Sequence, residues 1–213
     1  GDAKKILVTG FSNVAIDNIA MGLQHMSIGP ICRCGRGQTV LTRDTLQHHL
    51  ASHPAFGELE TMRFRLHGQH DVPESRRAEM MKLEKKLTRD VVTQSRVICA
   101  TCITAGGDVL AGSKFPLVLF DEATQATEPA SLVPLVKGAE ELVLIGDHRQ
   151  LPPLVRSHDA MRLGLHESLF ERLARLGVPM KMLSVQYRMH PAIAVFPSLA
   201  FYAGCVANGI GPG

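Results

Sequence analysis

The amino-acid sequence predicts an α/β fold: a mostly parallel sheet with helices on both faces. Three observations carry this expectation. Short apolar runs recur along the chain, at Ile6-Leu7-Val8-Thr9, Val97-Ile98-Cys99-Ala100, Leu117-Val118-Leu119-Phe120, Leu142-Val143-Leu144-Ile145 and Met182-Leu183-Ser184-Val185. Helical stretches separate most of them, and strands that alternate with helices pair in parallel beneath helical layers. Each run also leads at once into a polar or glycine-rich segment, which places the chemistry at one edge of the sheet, where ligands of such folds bind.

Size and composition fit this class. A chain of 213 residues builds one well-packed domain with an insertion. Apolar residues make up 45% and aromatics 5%, with no Trp, and the net charge of +3 permits a polyanionic partner without requiring one. No apolar run approaches the roughly 20 residues that span a membrane. Gly1-Asp2-Ala3-Lys4-Lys5 passes straight into Ile6-Leu7-Val8, with no secretory leader. The expectation is a soluble, intracellular protein.

The elements follow in order. After the first strand, Gly10-Phe11-Ser12-Asn13 breaks the run, and Ser12 or Asn13 caps a helix whose Val14, Ile16, Ile19, Ala20 and Leu23 have helical spacing. Residues 30–40 read as a short strand and turn. From about Thr42 to Ser95 the chain turns polar, and Met80, Leu83, Leu87 and Val91 recur at helical spacing among Arg77, Lys82, Lys85, Lys86 and Arg89. This segment, 42–95, is read as a helical insertion in a main domain formed by 1–41 and 96–213. A basic grip on nucleic acid and an ordinary solvated helical face both account for its charges. Further on, Thr127 caps a helix with Pro129 in its first turn. Another helix runs from about Glu167 to Leu176 and stops at Gly177.

The five cysteines, an odd number, argue against a disulfide framework. Cys99-x-x-Cys102 reads as part of a strand, on which positions three apart face opposite sides. Cys32-x-Cys34 with His48, His49 and His53 matches no common zinc spacing. Reduced structural thiols are expected at both places.

The chemistry-bearing residues stand at the strand ends. Asp121-Glu122 follows an apolar run that reads as buried on both faces. An aspartate there holds Mg²⁺ through its water shell, and the neighbouring glutamate orients or deprotonates an attacking water. This is the Walker B arrangement of a nucleotide hydrolase. Gly146-Asp147-x-x-Gln150-x-Pro152-Pro153 after a second buried strand is more restrictive, since Gln150 can bond both a terminal phosphate and a neighbouring carboxylate. Arg188 suits charge stabilisation on a transferring phosphoryl group, or a structural pair with a carboxylate. Tyr187 suits stacking on a base, or packing at a domain edge.

Taken together, Ser12-Asn13-Val14-Ala15-Ile16-Asp17, Asp121-Glu122-Ala123-Thr124-Gln125-Ala126-Thr127-Glu128-Pro129, Gly146-Asp147-His148-Arg149-Gln150-Leu151-Pro152-Pro153 and Gln186-Tyr187-Arg188-Met189-His190-Pro191 occur in an order that resembles the superfamily 1 helicases of the nonsense-mediated-decay type, the Upf-one-like group. Ser168-Leu169-Phe170-Glu171-Arg172-Leu173 and Phe201-Tyr202-Ala203-Gly204 extend the likeness, which is weakest over 42–95. The resemblance implies a RecA-like P-loop NTPase domain with a helical insertion, using ATP and Mg²⁺. It implies Asp121 for Mg²⁺, Glu122 for the hydrolytic water, Gln150 and Arg188 near the γ-phosphate, and Tyr187 on the adenine. Ser12, Asn13, Thr101 and Cys102 would meet the backbone of single-stranded RNA or DNA, although their residue types suit helix capping equally well. Regulatory proteins of RNA decay are the further partners it implies, with the cytoplasm as location and the nucleus as the alternative.

One part of that family's pattern is missing. No Gly-x-x-x-x-Gly-Lys-[Ser/Thr] loop occurs in the chain, and Gly112-Ser113-Lys114 has neither its order nor its place after a strand. The family's loop lies upstream of the Ser12-Asn13 motif, so the expectation is a truncated first domain with little hydrolysis of its own. Two other readings stay open: a DNA helicase of the same superfamily, and a degenerate helicase-like scaffold that binds nucleic acid without catalysis.

Overall fold

The computed structural model describes residues 4–35, 43–67 and 72–211. The elements are β1 (Ile6–Gly10), α1 (Asn13–His25), β2 (Ile31–Arg33), α2 (Leu46–Ala51), α3 (Phe56–Leu66), α4 (Glu74–Gln94), β3 (Val97–Thr101), α5 (Cys102–Ala105), β4 (Leu117–Asp121), α6 (Glu128–Leu135), β5 (Glu141–Leu144), α7 (His158–Arg162), α8 (Leu169–Arg175), β6 (Val185–Gln186), α9 (Pro191–Tyr202) and β7 (Ala207–Asn208). They form two compact units, one up to Phe170 and one from Glu171 onward.

The first unit is organised by a five-stranded sheet in the order β2-β3-β1-β4-β5, with every pairing parallel. This is the α/β arrangement that the strand rhythm predicts, and it agrees with the RecA-like domain that the resemblance implies. Strand alternation sorts side chains onto two faces. Leu7, Cys32, Cys34, Ile98, Ala100 and Val118 join one buried cluster, while Val8, Ile31, Val97 and Cys99 join another with Ile16 and Ala20 of α1.

The first of these faces is covered by the polar segment. Leu50 of α2, Leu59 of α3, and Leu87, Val91 and Val92 of α4 belong to the same core cluster as the strands. The basic residues of α4 stay on its outer side, so a charge-rich composition and a core-covering role coexist in one amphipathic helix. Of the strand and turn expected over 30–40, β2 takes Ile31–Arg33, and residues 36–42 lie outside those described.

One expected strand is corrected. Met182-Leu183-Ser184-Val185 contributes nothing to the five-stranded sheet; residues 181–184 have no regular structure, and only Val185–Gln186 pairs, with Ala207–Asn208 in a separate two-stranded sheet. Its apolar residues are exposed, Leu183 at 83%. A strand is stabilised by the neighbour it pairs with and packs on, and an apolar run carries no record of that neighbour. The expected helix stop at Gly177 is present in detail. Gly177 has φ +81, its N–H bonds to the Ala174 carbonyl at 3.0 Å, and Val178 N–H reaches back to Leu173 at 3.1 Å.

Candidate nucleotide and nucleic-acid site at the carboxyl edge of the sheet

Register places three of the sequence motifs level with one another. Gly10 at the end of β1 stands opposite Thr101 of β3 on one side and Asp121 of β4 on the other. The turn after β5 joins the same edge: Ile145 N–H bonds to the Phe120 carbonyl at 2.8 Å, and Ala123 N–H bonds to the Ile145 carbonyl at 2.9 Å. Small residues permit the close approach. A Cβ on Gly146 would stand 3.2 Å from the Thr124 backbone nitrogen, and one on Gly10 would stand 3.2 Å from the Asp121 carbonyl oxygen.

At this edge Asp121 is half-buried and ends β4. Glu122, directly after it, has φ 51 and ψ 40, a left-handed conformation in a residue that has a side chain. Such a conformation costs on the order of 1–3 kcal/mol and persists where the surroundings over-determine it. It is held there by the ladder on both sides and by Gln125, whose Nε2 donates to Glu122 Oε2 at 3.1 Å. Asp147 organises the next turn, accepting from Gln150 Nε2 at 2.8 Å and from the Arg149 backbone N–H at 2.9 Å. Gln150 is exposed, and with one N–H of Nε2 tied to Asp147 the second N–H is the donor left for a phosphate oxygen.

The residues expected on nucleic acid are also held structurally. Ser12 Oγ caps α1 by accepting from Ala15 N–H at 3.1 Å, and Thr101 Oγ1 caps α5 by accepting from Thr104 N–H at 3.2 Å. Asn13 is exposed, and its Oδ1 accepts from Arg33 Nη2 at 3.0 Å. Cys102 is fully buried in an apolar cluster with Phe120, Ala123 and Ala126. Its thiol is therefore closed to a ligand, and the exposed surface of that turn belongs to Ile103, at 65%.

The second unit, taken by itself, holds the other expected residues. Gln186 organises their loop: its Nε2 donates to the Met189 carbonyl and to Asn208 Oδ1, both at 2.7 Å, and its Oε1 accepts from the N–H groups of Arg188 at 2.9 Å and Met189 at 2.7 Å. Arg188 and Tyr187 are both exposed beside it, and His190 Nδ1 caps α9 at Ala192 N–H, 3.2 Å away. The expected bond from Gln150 to a neighbouring carboxylate is present, with Asp147 as the partner, while sequence reasoning missed the loop-organising role of Gln186 and the Arg33–Asp17 pair. For the last a signal existed: a lone arginine inside the otherwise apolar run Ile31-Cys32-Arg33-Cys34.

The thiols are structural. Cys32, Cys34, Cys99 and Cys102 are buried and free, with the Cys32 and Cys34 sulfurs 3.7 Å apart, and Cys205 is exposed and free. Cys99 and Cys102 lie in different clusters, since Cys102 falls past the end of β3. Burial pushes the Cys99 thiol up to about 12, and the hydrogen bond to Cys32 and burial push Cys34 well above its ordinary value. Among the described residues no group of three His, Cys, Asp or Glu gathers to hold a metal. Mg²⁺ takes only one or two carboxylates from a protein and completes its octahedron with water and substrate phosphates, a demand the Asp121 carboxylate at the end of β4 can meet. No helix among the described residues is long and apolar enough to cross a membrane.

A parallel sheet whose carboxyl edge gathers a strand-end carboxylate pair, a capped helix start and a Gly-Asp turn defines a RecA-like α/β domain. Comparisons with known proteins agree. Two family models described as AAA domain match residues 57–158 and 165–210. The chain is 37% identical over 97% of its length to a regulator of nonsense transcripts 1 homolog of Arabidopsis thaliana, of which it covers 17%. It is 38% identical over 97% of its length to the ATP-dependent helicase NAM7 of Saccharomyces cerevisiae, covering 21% of it. It is 34% identical over 97% of its length to the 5'-3' DNA helicase ZGRF1 of Mus musculus, covering 11%. The chain thus spans about a fifth or less of the length of these relatives. It belongs to the superfamily 1 helicases of the nonsense-mediated-decay, Upf-one-like type, as a part of their first RecA-like domain.

Proposed function

We propose that this chain is the part of an ATP-dependent helicase that couples hydrolysis to movement along single-stranded nucleic acid. The observation that carries this reading is the register of Gly10 with Thr101 and Asp121, which brings three motifs to one edge without any loop rearrangement. In this reading Asp121 carries Mg²⁺, which neutralises charge on the phosphate oxygens as the terminal bond breaks. Glu122 orients the attacking water and accepts its proton, with Gln125 Nε2 donating to its Oε2 at 3.1 Å. Gln150 reports the presence of the terminal phosphate through Asp147. Arg188 and Tyr187 serve the phosphate and the adenine, and the stretch 42–95 is an insertion that also covers the sheet.

The names of the relatives favour RNA over DNA as the strand bound, with the DNA helicase ZGRF1 as the pointer to a second reading. Competition between matched RNA and DNA oligonucleotides decides between them. The cytoplasm, and partners among regulatory proteins of RNA decay, belong to the first reading.

The catalytic assignment is tested in a protein that joins these residues to a Gly-x-x-x-x-Gly-Lys-[Ser/Thr] phosphate loop. Glu122→Gln keeps the shape but removes the base, so ATP hydrolysis should fall by about 10²-fold or more. Nucleotide binding, read by a fluorescent ATP analogue, should stay within a few-fold of the unsubstituted protein. Unchanged turnover removes Glu122 from this role.

A further inference from the structure

Arg33 is the largest fully buried side chain among the described residues and a charged one in a strand of apolar neighbours. A guanidinium out of water is costly unless its N–H groups are met. Here Nε donates to Asp17 Oδ1 at 2.7 Å, Nη2 to Asn13 Oδ1 at 3.0 Å, and Nη1 to the Cys34 carbonyl. Asp17 is itself buried, on the inner face of α1. Gly35, with φ +101, brings the chain after β2 against the Thr101–Thr104 turn: a Cβ there would stand 2.9 Å from Thr104 Oγ1 and 3.4 Å from Arg33 Nη1. One guanidinium therefore ties the start of α1 to the end of β2, beside the turn after β3, all at the carboxyl edge.

The chemistry of this contact has a direction. Arginine only donates, so the one atom of the Asn13 side chain that can face Arg33 is the amide oxygen. Asn13 is exposed, and its amide nitrogen, with two N–H donors, is the end left for a ligand. A phosphodiester oxygen accepts hydrogen bonds and never donates them. We propose that Arg33 is a positioning residue that locks the Asn13 amide with its nitrogen outward, making Asn13 an obligate donor to a nucleic-acid phosphate. The inference rests on the helicase reading and deepens it: Arg33 acts on the bound strand without touching it, and Asp17 holds Arg33.

Three substitutions in the full chain test this, with binding to a fluorescein-labelled single-stranded oligouridylate read by anisotropy across a salt series. Asn13→Ala removes the donor and should weaken binding about tenfold, as expected for a hydrogen bond to a charged acceptor. Asn13→Asp keeps a partner for Arg33, so its thermal midpoint should equal or exceed that of the unsubstituted chain. It turns an acceptor and a negative charge toward the strand, and should bind more weakly than Asn13→Ala. Arg33→Lys lacks the fork that holds the amide, and should weaken binding several-fold while leaving the slope of affinity against salt unchanged, because Arg33 neutralises no phosphate. If Asn13 were merely structural, Asn13→Asp would be stable and would bind as well as the unsubstituted chain; that result overturns the proposal even if Arg33→Lys fails to fold. A lower salt slope for a folded Arg33→Lys overturns the positioning role by showing direct contact. No binding by the unsubstituted chain overturns the helicase reading itself, a separate outcome from either.

Discussion

Glu122 shows how a single residue is prepared by its neighbours. Its left-handed backbone follows from two hydrogen bonds that fix the chain on either side, Ile145 to Phe120 and Ala123 to Ile145. Gly146 makes room for this, since Thr124 occupies the space its side chain would need. Gly146→Ala should therefore destabilise the chain by about 1–3 kcal/mol, the range for forcing extra volume into a packed site; chemical denaturation measures it. The thiols give a second test at this scale. At pH 8, iodoacetamide should label Cys205 alone until the chain unfolds, because the other four are buried and Cys34, Cys99 and Cys102 are shifted toward the protonated form. A raised folded value means that the native state holds its proton more tightly than the unfolded chain. That contribution is intact below the ordinary thiol value of 9.0 and is lost as pH rises toward about 12 for Cys99. Stability should accordingly decline over this alkaline window, and replacing Cys99 by Ala should flatten the decline.

At the scale of elements, α4 is the instructive case. Its residues alternate between a basic outer side and Leu87, Val91 and Val92, which are buried against the sheet. The charge-rich composition alone suggests a segment standing clear of the domain, yet its apolar stripe makes it one wall of the main core. Leu87→Ala should cost about 2–5 kcal/mol, the usual range for a buried leucine. Phe64→Ser on the neighbouring α3 should change stability by no more than about 0.5 kcal/mol, since Phe64 is 83% exposed. Equal effects of the two substitutions in a denaturation series would contradict this packing. Whether the outer side of α4 also grips nucleic acid is read by charge reversal at Arg77, Lys82 and Lys86. A grip predicts weaker binding with a flatter salt dependence; unchanged binding makes this a solvated face.

At the scale of the whole molecule, the 213 residues hold those proposed to orient water and to face nucleic acid but no Gly-x-x-x-x-Gly-Lys-[Ser/Thr] cradle for the β- and γ-phosphates. Phosphate release by this chain with single-stranded RNA should stay near background, and robust turnover would show that the present residues suffice. Much of the architecture was legible beforehand. Apolar runs bounded by Gly and polar residues located β1, β3, β4 and β5. Burial on both faces accounts for the run of β3, whereas β5, expected to be buried, is an edge strand of exposed and half-buried residues. The same rule misplaced a strand at 182–185, of which only Val185 pairs, in a two-stranded sheet with Ala207.

What the sequence determined by itself was local and ordered: most of the strands of the main sheet, where Ser12 and Thr127 begin helices, where Gly177 ends one, and the motif order that marks the family. These depend on contacts within a few residues. Only the tertiary structure decided that Gly10, Thr101 and Asp121 are level, that Cys102 faces inward, and that Arg33 reaches Asn13 and Asp17. Strand order and register are settled by which faces bury against each other. A buried charge is tolerated only where distant residues supply its partners, and neither condition is written in any one stretch of chain.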